Sequence, residues 1–202
     1  MEESRWMDLM ARIGLNSSLH CFTSLKEAYS EKHRYYHTIQ HIDAMLKHFD
    51  RIQDLADHPD EIELAIWFHD AIYKPFSKTN EQDSADWAFN FLKSGHYEKE
   101  GATRVYELIM ATLHNRELKN NDQKLIVDID LSILGTKPEV YEKFEKNVRK
   151  EYKLVPWFLY RKKRKEILQS FLDKKYIYHF GYFKERFESN ARNNISLAIK
   201  SL

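Results

Sequence analysis

Apolar residues recur at spacings of three and four along most of the chain, and short polar segments interrupt them. This period places apolar side chains on one face of an α-helix, whereas a half-buried strand requires strict alternation. No two alternating segments joined by a tight turn stand out, so the sequence does not predict a β-hairpin. The clearest faces are Ile42, Met45, Leu46 and Phe49 in one segment, and Ile62, Ala65, Ile66 and His69 in the next.

The pattern predicts an all-α fold, a helical array formed as a single domain over residues 1–202. Two helix starts are marked by proline, at Asp57-His58-Pro59-Asp60 and at Lys137-Pro138, because proline is well accommodated in the first turn of a helix. The ten predicted helices cover residues 4–14, 18–31, 37–53, 60–72, 82–94, 99–114, 122–131, 138–152, 156–173 and 184–201.

The composition fits this fold and limits the classes of partner. The chain has 202 residues, 43% of them hydrophobic, which is enough for a self-supporting core. The formal net charge is +1, so we expect neither a nucleic-acid polymer nor a membrane as partner. The single cysteine, Cys21, excludes an intrachain disulfide and a thiolate zinc ribbon. The acidic N-terminus without an apolar stretch predicts a cytoplasmic protein.

The densest run of charge is Arg161-Lys162-Lys163-Arg164-Lys165. Five consecutive cations on a helix surround its axis and do not form a single binding stripe. Acidic residues such as Glu166 lie nearby in the sequence. A solvated helix face is therefore the favoured interpretation, and a patch that binds phosphate or nucleic acid is the alternative.

Ten histidines are the least ordinary feature of the composition, and their placement indicates chemistry. His37 and His41 are four residues apart, so on a helix they would project from the same face. Two imidazoles in that arrangement can share a metal ion, or one can bind metal while the other transfers protons. A second signal is His69-Asp70, at the end of an apolar helical run, where imidazole and carboxylate can converge on one cation.

Two further signals follow along the chain. His114 closes an apolar helical segment, where the helix C-terminus could equally stabilise its charge. Asp128 and Asp130 lie inside the apolar segment Val127–Leu131, and carboxylates in a buried helix need a partner, of which a metal ion is one candidate. A solvent-facing or capping role is the alternative for Asp128.

The order of these motifs and their placement in apolar helical segments match the pattern of a known family. The sequence resembles the HD-domain superfamily of metal-dependent phosphohydrolases, whose signature is His, then His-Asp, then Asp on separate helices. The closest likeness is to a bacterial group of predicted HD-type phosphohydrolases. The resembling stretches lie at 34–42, 65–73, 80–85, 111–114, 128–135, 148–152 and 188–194.

The resemblance implies a ligand set and a division of roles. It makes His41, His69, Asp70 and Asp130 the metal ligands, with Asp128 as the alternative to Asp130. His37 is similar in position to a proton-donating histidine of cyclic-nucleotide phosphodiesterases. The sequence lacks the further histidine that those enzymes carry shortly after His-Asp, and Tyr73-Lys74-Pro75 stands there instead. Asp70 and Glu81 are assigned to catalysis beside His37, and Arg34, Lys74, Asn80 and His114 are predicted to contact the substrate.

Such a constellation supports hydrolysis of a phosphate ester or anhydride. A divalent cation (Mn, Fe, Ni, Co, Mg or Zn) polarises the phosphoryl group and activates water, and a histidine protonates the leaving oxygen. The predicted substrate is a small phosphorylated metabolite, with a nucleotide favoured. Two alternatives stay open: a regulatory nucleotide-binding module without turnover, and an iron-dependent oxygenase of the HD type.

Overall fold

The computed structural model describes residues 1–16, 19–114 and 116–202, and every regular element in these residues is helical. The prediction of an all-α fold is therefore confirmed. The α-helices are α1 (Glu3–Arg12), α2 (Leu19–Ala28), α3 (Ile39–Phe49), α4 (Pro59–Phe68), α5 (Asn80–Ser94), α6 (Lys99–Ala111), α7 (Asn121–Asp130), α8 (Pro138–Glu151), α9 (Trp157–Leu172) and α10 (Gly181–Ser201). Two 3₁₀ helices, η1 (Gln53–Leu55) and η2 (Leu131–Gly135), complete the set in the described residues.

Each predicted helix corresponds to one of these α-helices, but three boundaries matter for function. Helix α3 begins at Ile39, so His37 precedes it and the expected helical spacing from His37 to His41 is wrong. Helix α5 begins at Asn80, two residues before the predicted start. Helix α6 ends at Ala111, and His114 lies beyond it with a left-handed backbone, at φ 56°.

The chain divides into two compact units, Met1–Ile129 and Asp130–Leu202. The division falls at the last residue of α7, so the backbone of Asp130 is still held by that helix. The prediction of one domain over residues 1–202 stays a prediction. In the residues that the structure describes, no helix combines the length and apolar character needed to cross a bilayer.

Helix α4 is the centre of the first unit. Its residues from Glu61 to Phe68 are all buried, and α1, α3, α5 and α6 pack around it. Pro59 occupies its first turn, as the sequence predicted. The Asp122 carboxylate, from the start of α7, accepts the backbone N–H groups of Asp57 and His58 at 2.7 and 3.0 Å. The start of α4 is thereby joined to α7, and its other end carries His69 and Asp70.

The second unit is built around α10, which packs against η2, α8 and α9. The Asn194 amide donates to the carbonyls of Leu134 and Thr136, both at 2.9 Å. The Tyr178 hydroxyl donates to the Leu131 carbonyl at 3.0 Å. These bonds satisfy carbonyl groups in and just after η2, a short helix with few internal partners of its own.

Candidate metal centre

His69 is the first residue after the last turn of α4, and its side chain is almost completely buried. Its Nδ1 lies 3.0 Å from the carbonyl oxygen of Ile66. Because a carbonyl can only accept, Nδ1 carries the proton, and in the neutral ring Nε2 is left with a lone pair. A hydrogen bond from the ring nitrogen that does not bind the metal is the usual way in which a metal-binding histidine is oriented.

His41, in the first turn of α3, brings a second imidazole to the same point. It is buried, and its Nε2 lies 3.2 Å from Nε2 of His69. Asp130, at the end of α7, provides a carboxylate. The ligand atoms of His41, His69 and Asp130 all lie within 4.8 Å of one another, so these residues form a group that could hold a metal ion.

Asp70 adds a second carboxylate beside the two histidines. Its Oδ2 lies 3.0 Å from Nε2 of His69 and 3.7 Å from Nε2 of His41. Burial by itself raises the pKa of Asp70, but without a metal ion the charges of protonated His69 and His37 and the bond from His69 outweigh it, so the pKa falls below its usual range. Asp70 therefore stays ionised in the folded protein.

The spacing of these atoms fits a shared cation. Ligands about 2.1 Å from one ion are about 3.0 Å apart at right angles and about 3.4 Å apart at tetrahedral angles. The separations of 3.2 Å between the two Nε2 atoms and 3.0 Å between His69 and Asp70 fall in that interval, and the 3.7 Å between His41 and Asp70 corresponds to a wider angle at the ion. A lone pair on Nε2 of His69 facing a carboxylate is also unfavourable unless a cation or proton lies between them. The nitrogen and oxygen donors suit a divalent transition metal or magnesium.

Arg34 lies next to this centre and has a different role from the predicted substrate contact. Its side chain is fully buried. The guanidinium donates to the backbone carbonyls of Asp70 at 2.6 Å, Ala71 at 2.9 Å and His37 at 3.2 Å, and to the Glu31 carboxylate at 2.9 Å. With its donors directed to the protein, Arg34 fixes the segment after α4 against the segment before α3. The geometry favours positioning over substrate binding.

His37 faces the same region without being part of α3. Its ring stacks on Tyr73, with centroids 4.2 Å apart, and lies edge-on to Tyr36. The centroids of His37 and His41 are 6.2 Å apart. His33, to which the sequence assigned no role, contacts the Tyr73 carbonyl through Nε2 at 2.8 Å. Aromatic rings and a backbone contact therefore hold His37 beside the metal centre.

The predicted residues of the loop and of α5 fall into two groups. Asn80 is buried and exchanges two 3.0 Å hydrogen bonds with the backbone of Lys74, so it shapes the loop, while the Lys74 side chain is exposed. Glu81, in the first turn of α5, is half-buried. Burial raises the pKa of Glu81 and the charge of Asp70 adds to the rise, while its own backbone, His114 and His69 oppose it.

His114 and Asp128 were the least certain assignments in the sequence. The electrostatic influence of His114 on Glu81 places it near the site, and its left-handed backbone directs the chain away from α6. Asp128 is completely buried, so the solvent-facing alternative is wrong. Asp130, not Asp128, belongs to the group of possible ligands.

Sequence reasoning did not find the positioning roles, although it had singled out Arg34 as a substrate contact. Tyr73, Ile66 and Arg34 act through stacking or backbone bonds, and such contacts leave no spacing signal in the sequence.

Comparison with known proteins adds no relative: no protein-family model, no curated protein and no solved structure matches this chain. Membership of the HD superfamily therefore stays a prediction, and the function must be argued from the site.

Proposed function

We propose that this protein is a metal-dependent phosphohydrolase that acts on a small phosphorylated metabolite, with a nucleotide as the favoured substrate. The observation that carries the proposal is the convergence of His41, His69 and Asp130, with the Asp70 carboxylate against both imidazoles. Two neutral imidazoles and two carboxylates balance the charge of a divalent cation while retaining its Lewis acidity.

A divalent cation held by these residues would polarise a phosphoryl oxygen and lower the pKa of a bound water towards neutrality. The chain's own contribution is to orient the ligands. The Ile66 carbonyl holds the proton of His69 on Nδ1, and Arg34 holds the backbone of Asp70. Fixed ligands reduce the reorganisation needed when charge develops on the phosphoryl group.

His37 is the residue proposed to donate a proton to the leaving oxygen. It is half-exposed, and its ring is held by Tyr36 and Tyr73 at the edge of the metal centre. Histidine is the side chain that most often transfers protons near neutral pH, which is the task of a general acid here. Lys74, with its exposed ammonium and its backbone fixed by Asn80, is proposed to contact a substrate phosphate.

The proposal is tested by metal analysis of the purified protein, followed by a panel of phosphorylated metabolites with detection of phosphate and pyrophosphate. We expect a stoichiometric transition metal and hydrolysis that a chelator abolishes. Asp70→Ala is expected to lose both, whereas His20→Gln, at an exposed histidine of α2, should retain both. Unchanged metal content and hydrolysis in Asp70→Ala would contradict the proposal.

Two other outcomes would replace it. A tight nucleotide complex that yields no product with any metal would indicate a regulatory binding module. A product formed only in the presence of oxygen, by an iron-loaded protein, would indicate an oxygenase.

A further inference from the structure

A protruding apolar cluster lies where α8 is followed by α9, in the second unit. Leu154, Trp157, Phe158 and Leu159, here called the tip, are 75%, 50%, 65% and 49% exposed. Exposed apolar residues are normal when scattered singly, but four large ones within six positions concentrate apolar surface in one place, as interaction sites do. The tip has no part in the metal centre described above.

The tip is a structured feature. Arg149, in the last turn of α8, donates to the carbonyls of Tyr152 at 2.6 Å and Val155 at 3.1 Å. Its guanidinium carbon also lies 5.5 Å from the ring centroid of Trp157 and 4.7 Å from that of Tyr160. These contacts fix the turn, so the exposure of Leu154 and Phe158 is maintained by the fold.

Cations surround the tip. Residues 149–165 contain eight Lys and Arg and one acidic residue, whereas the formal charge of the whole chain is +1. Three of these cations are engaged within the chain. Arg149 binds the turn, Arg164 pairs with Glu145 at 2.6 Å, and Lys163 pairs with Glu166 at 3.2 Å. The basic flank consists of Lys153, Arg161, Lys162 and Lys165, which are exposed or half-exposed.

The helical spacing places tip and flank on one surface. Phe158 and Lys162 are four residues apart on α9, and Lys165 is three residues further, so they form one stripe along the helix. Trp157 and Arg161 form a neighbouring pair with the same spacing. Arg161 and Lys162 therefore follow Trp157 and Phe158 one turn further along α9, on the same sides of the helix.

We propose that the tip and the basic flank dock this protein peripherally on a membrane surface that contains anionic lipids. Trp, Phe and Leu at the end of a helix suit the boundary between headgroups and acyl chains, and lysines beside them suit anionic headgroups. The absence of a membrane partner was expected from the net charge of the chain, which conceals this local excess.

Other occupants fit the surface less well. A second copy that used the same patch symmetrically would place two basic flanks against each other. A nucleic acid would use the cations and could stack on Trp157 and Phe158, but it would leave Leu154 and Leu159 exposed to water. An anionic bilayer uses both the apolar side chains and the charges.

The test uses the full chain with vesicles of phosphatidylcholine alone or with about one-third phosphatidylglycerol. We expect cosedimentation with the anionic vesicles only. Lys162→Glu with Lys165→Glu should weaken binding by about 30-fold or more, since each lysine near such a surface contributes about fivefold. Lys93→Glu with Lys99→Glu makes the same change in net charge at exposed lysines of the first unit and should leave binding nearly intact.

The apolar contribution is tested separately. Leu154→Ala with Phe158→Ala should weaken binding by about tenfold or more, while Leu197→Ala, at a 61% exposed residue of α10, should not. Lipids brominated on their acyl chains should quench tryptophan fluorescence, because Trp157 would reach the acyl boundary. Trp157→Phe should abolish this quenching and Trp87→Phe should retain it, since the other two tryptophans, Trp6 and Trp67, are completely buried.

The proposal would be overturned by no binding to anionic vesicles, by equal loss in the Lys93 and Lys99 variant, or by binding that does not depend on Leu154 and Phe158. If the protein is a dimer that does not bind vesicles, and Leu154→Ala with Phe158→Ala makes it monomeric, the tip is an interface with a second copy. If the protein binds an RNA homopolymer but not vesicles, and the Lys162 and Lys165 variant loses that RNA binding, the flank is a polyanion-binding site.

Discussion

A single proton position determines how the two histidines of the site can act. The Ile66 carbonyl accepts from Nδ1 of His69, so Nε2 is the atom through which the neutral ring can bind a metal ion. The 3.2 Å separation from Nε2 of His41 then brings together two atoms that a cation can join. The hydrogen bond from Nδ1 of His69 to the Ile66 carbonyl therefore orients Nε2 of the same ring towards the metal site.

Arg34 gives the first prediction at this scale. Arg34→Ala removes the donor for the carbonyls of Asp70, Ala71 and His37, and we expect the free energy of unfolding to fall by about 2–4 kcal/mol. Arg34→Lys keeps the charge but not the planar fork, so metal affinity should fall by about 10–100-fold. Urea unfolding and a metal titration measure the two effects. The control Arg186→Lys, on α10, should change neither, and wild-type metal affinity in Arg34→Lys would contradict the positioning role.

Glu81 gives a prediction about pH. Its carboxyl has a raised pKa because of burial and the nearby Asp70 charge, so the folded protein holds this proton to a higher pH than the unfolded chain, whose pKa is about 4.3. As the pH rises past that value, the ionised form disfavours the folded state. In the metal-free protein, Glu81→Gln should therefore raise Tm by a few degrees at neutral pH and leave it unchanged near pH 4.

A thermal melt at the two pH values measures this difference. Glu117→Gln, at an exposed carboxyl, should show no such dependence on pH. The predicted effect would be refuted if Glu81→Gln lowered Tm at neutral pH.

At the scale of elements, α4 shows how tertiary packing changes the role of a helix. Its pattern predicts one apolar face, but the helix is buried on all sides, including Glu61 and Glu63. Arg104 of α6 binds Glu61 at 2.7 Å, and Arg5 and Arg12 of α1 bind Glu63 at the same distance. These ion pairs satisfy the buried carboxylates and link the N-terminal half of α4 to α1 and α6.

Two glycines of the second unit test the packing of η2 against α10. A Cβ on Gly135 would lie within 2.6 Å of the Phe187 carbonyl oxygen and 2.7 Å of its Cα, both backbone atoms. Gly135→Ala should therefore lower the free energy of unfolding by about 1–3 kcal/mol. Gly181→Ala, at the exposed first residue of α10 with open space around it, should be neutral or stabilising by up to about 1 kcal/mol. Urea unfolding of both variants measures the difference between their free energies of unfolding. Equal values would show that η2 and α10 do not pack closely at Gly135.

At the scale of the whole molecule, the small net charge is the sum of a strongly basic region and a net acidic remainder. The chain is nearly neutral, yet the region from Arg149 to Lys165 is strongly basic, so the rest of the chain carries a net negative charge. Buried acids such as Glu61 and Glu63 are part of that excess and are neutralised inside the fold. Net charge therefore describes the solubility of this protein better than the character of any one surface.

Metal binding should be visible in the stability of the whole molecule. A cation that binds only the folded state, present at a concentration of about 100 times its Kd, adds about 2.7 kcal/mol to the free energy of unfolding. Tm should then rise by about 5–10 °C. A chelator should reverse the shift, and a pH below about 6 should weaken it because the histidines must lose a proton to bind. Thermal melts of His69→Gln should show no shift, whereas His20→Gln should match the wild type. A shift that persists in His69→Gln would place the binding elsewhere.

The sequence by itself determined the fold class, the ten helices and which histidines and aspartates to consider, because periodicity and residue chemistry are local properties. It could not decide that His37 lies before α3, since that boundary depends on how the preceding segment is bound by Arg34. The resemblance favoured Asp130 over Asp128, but only the tertiary structure shows that the ligand atoms of His41, His69 and Asp130 converge, because residues so far apart in the sequence meet only through helix packing. The roles of Arg34, Ile66 and Tyr73 likewise arise from contacts between distant segments, which no local pattern records.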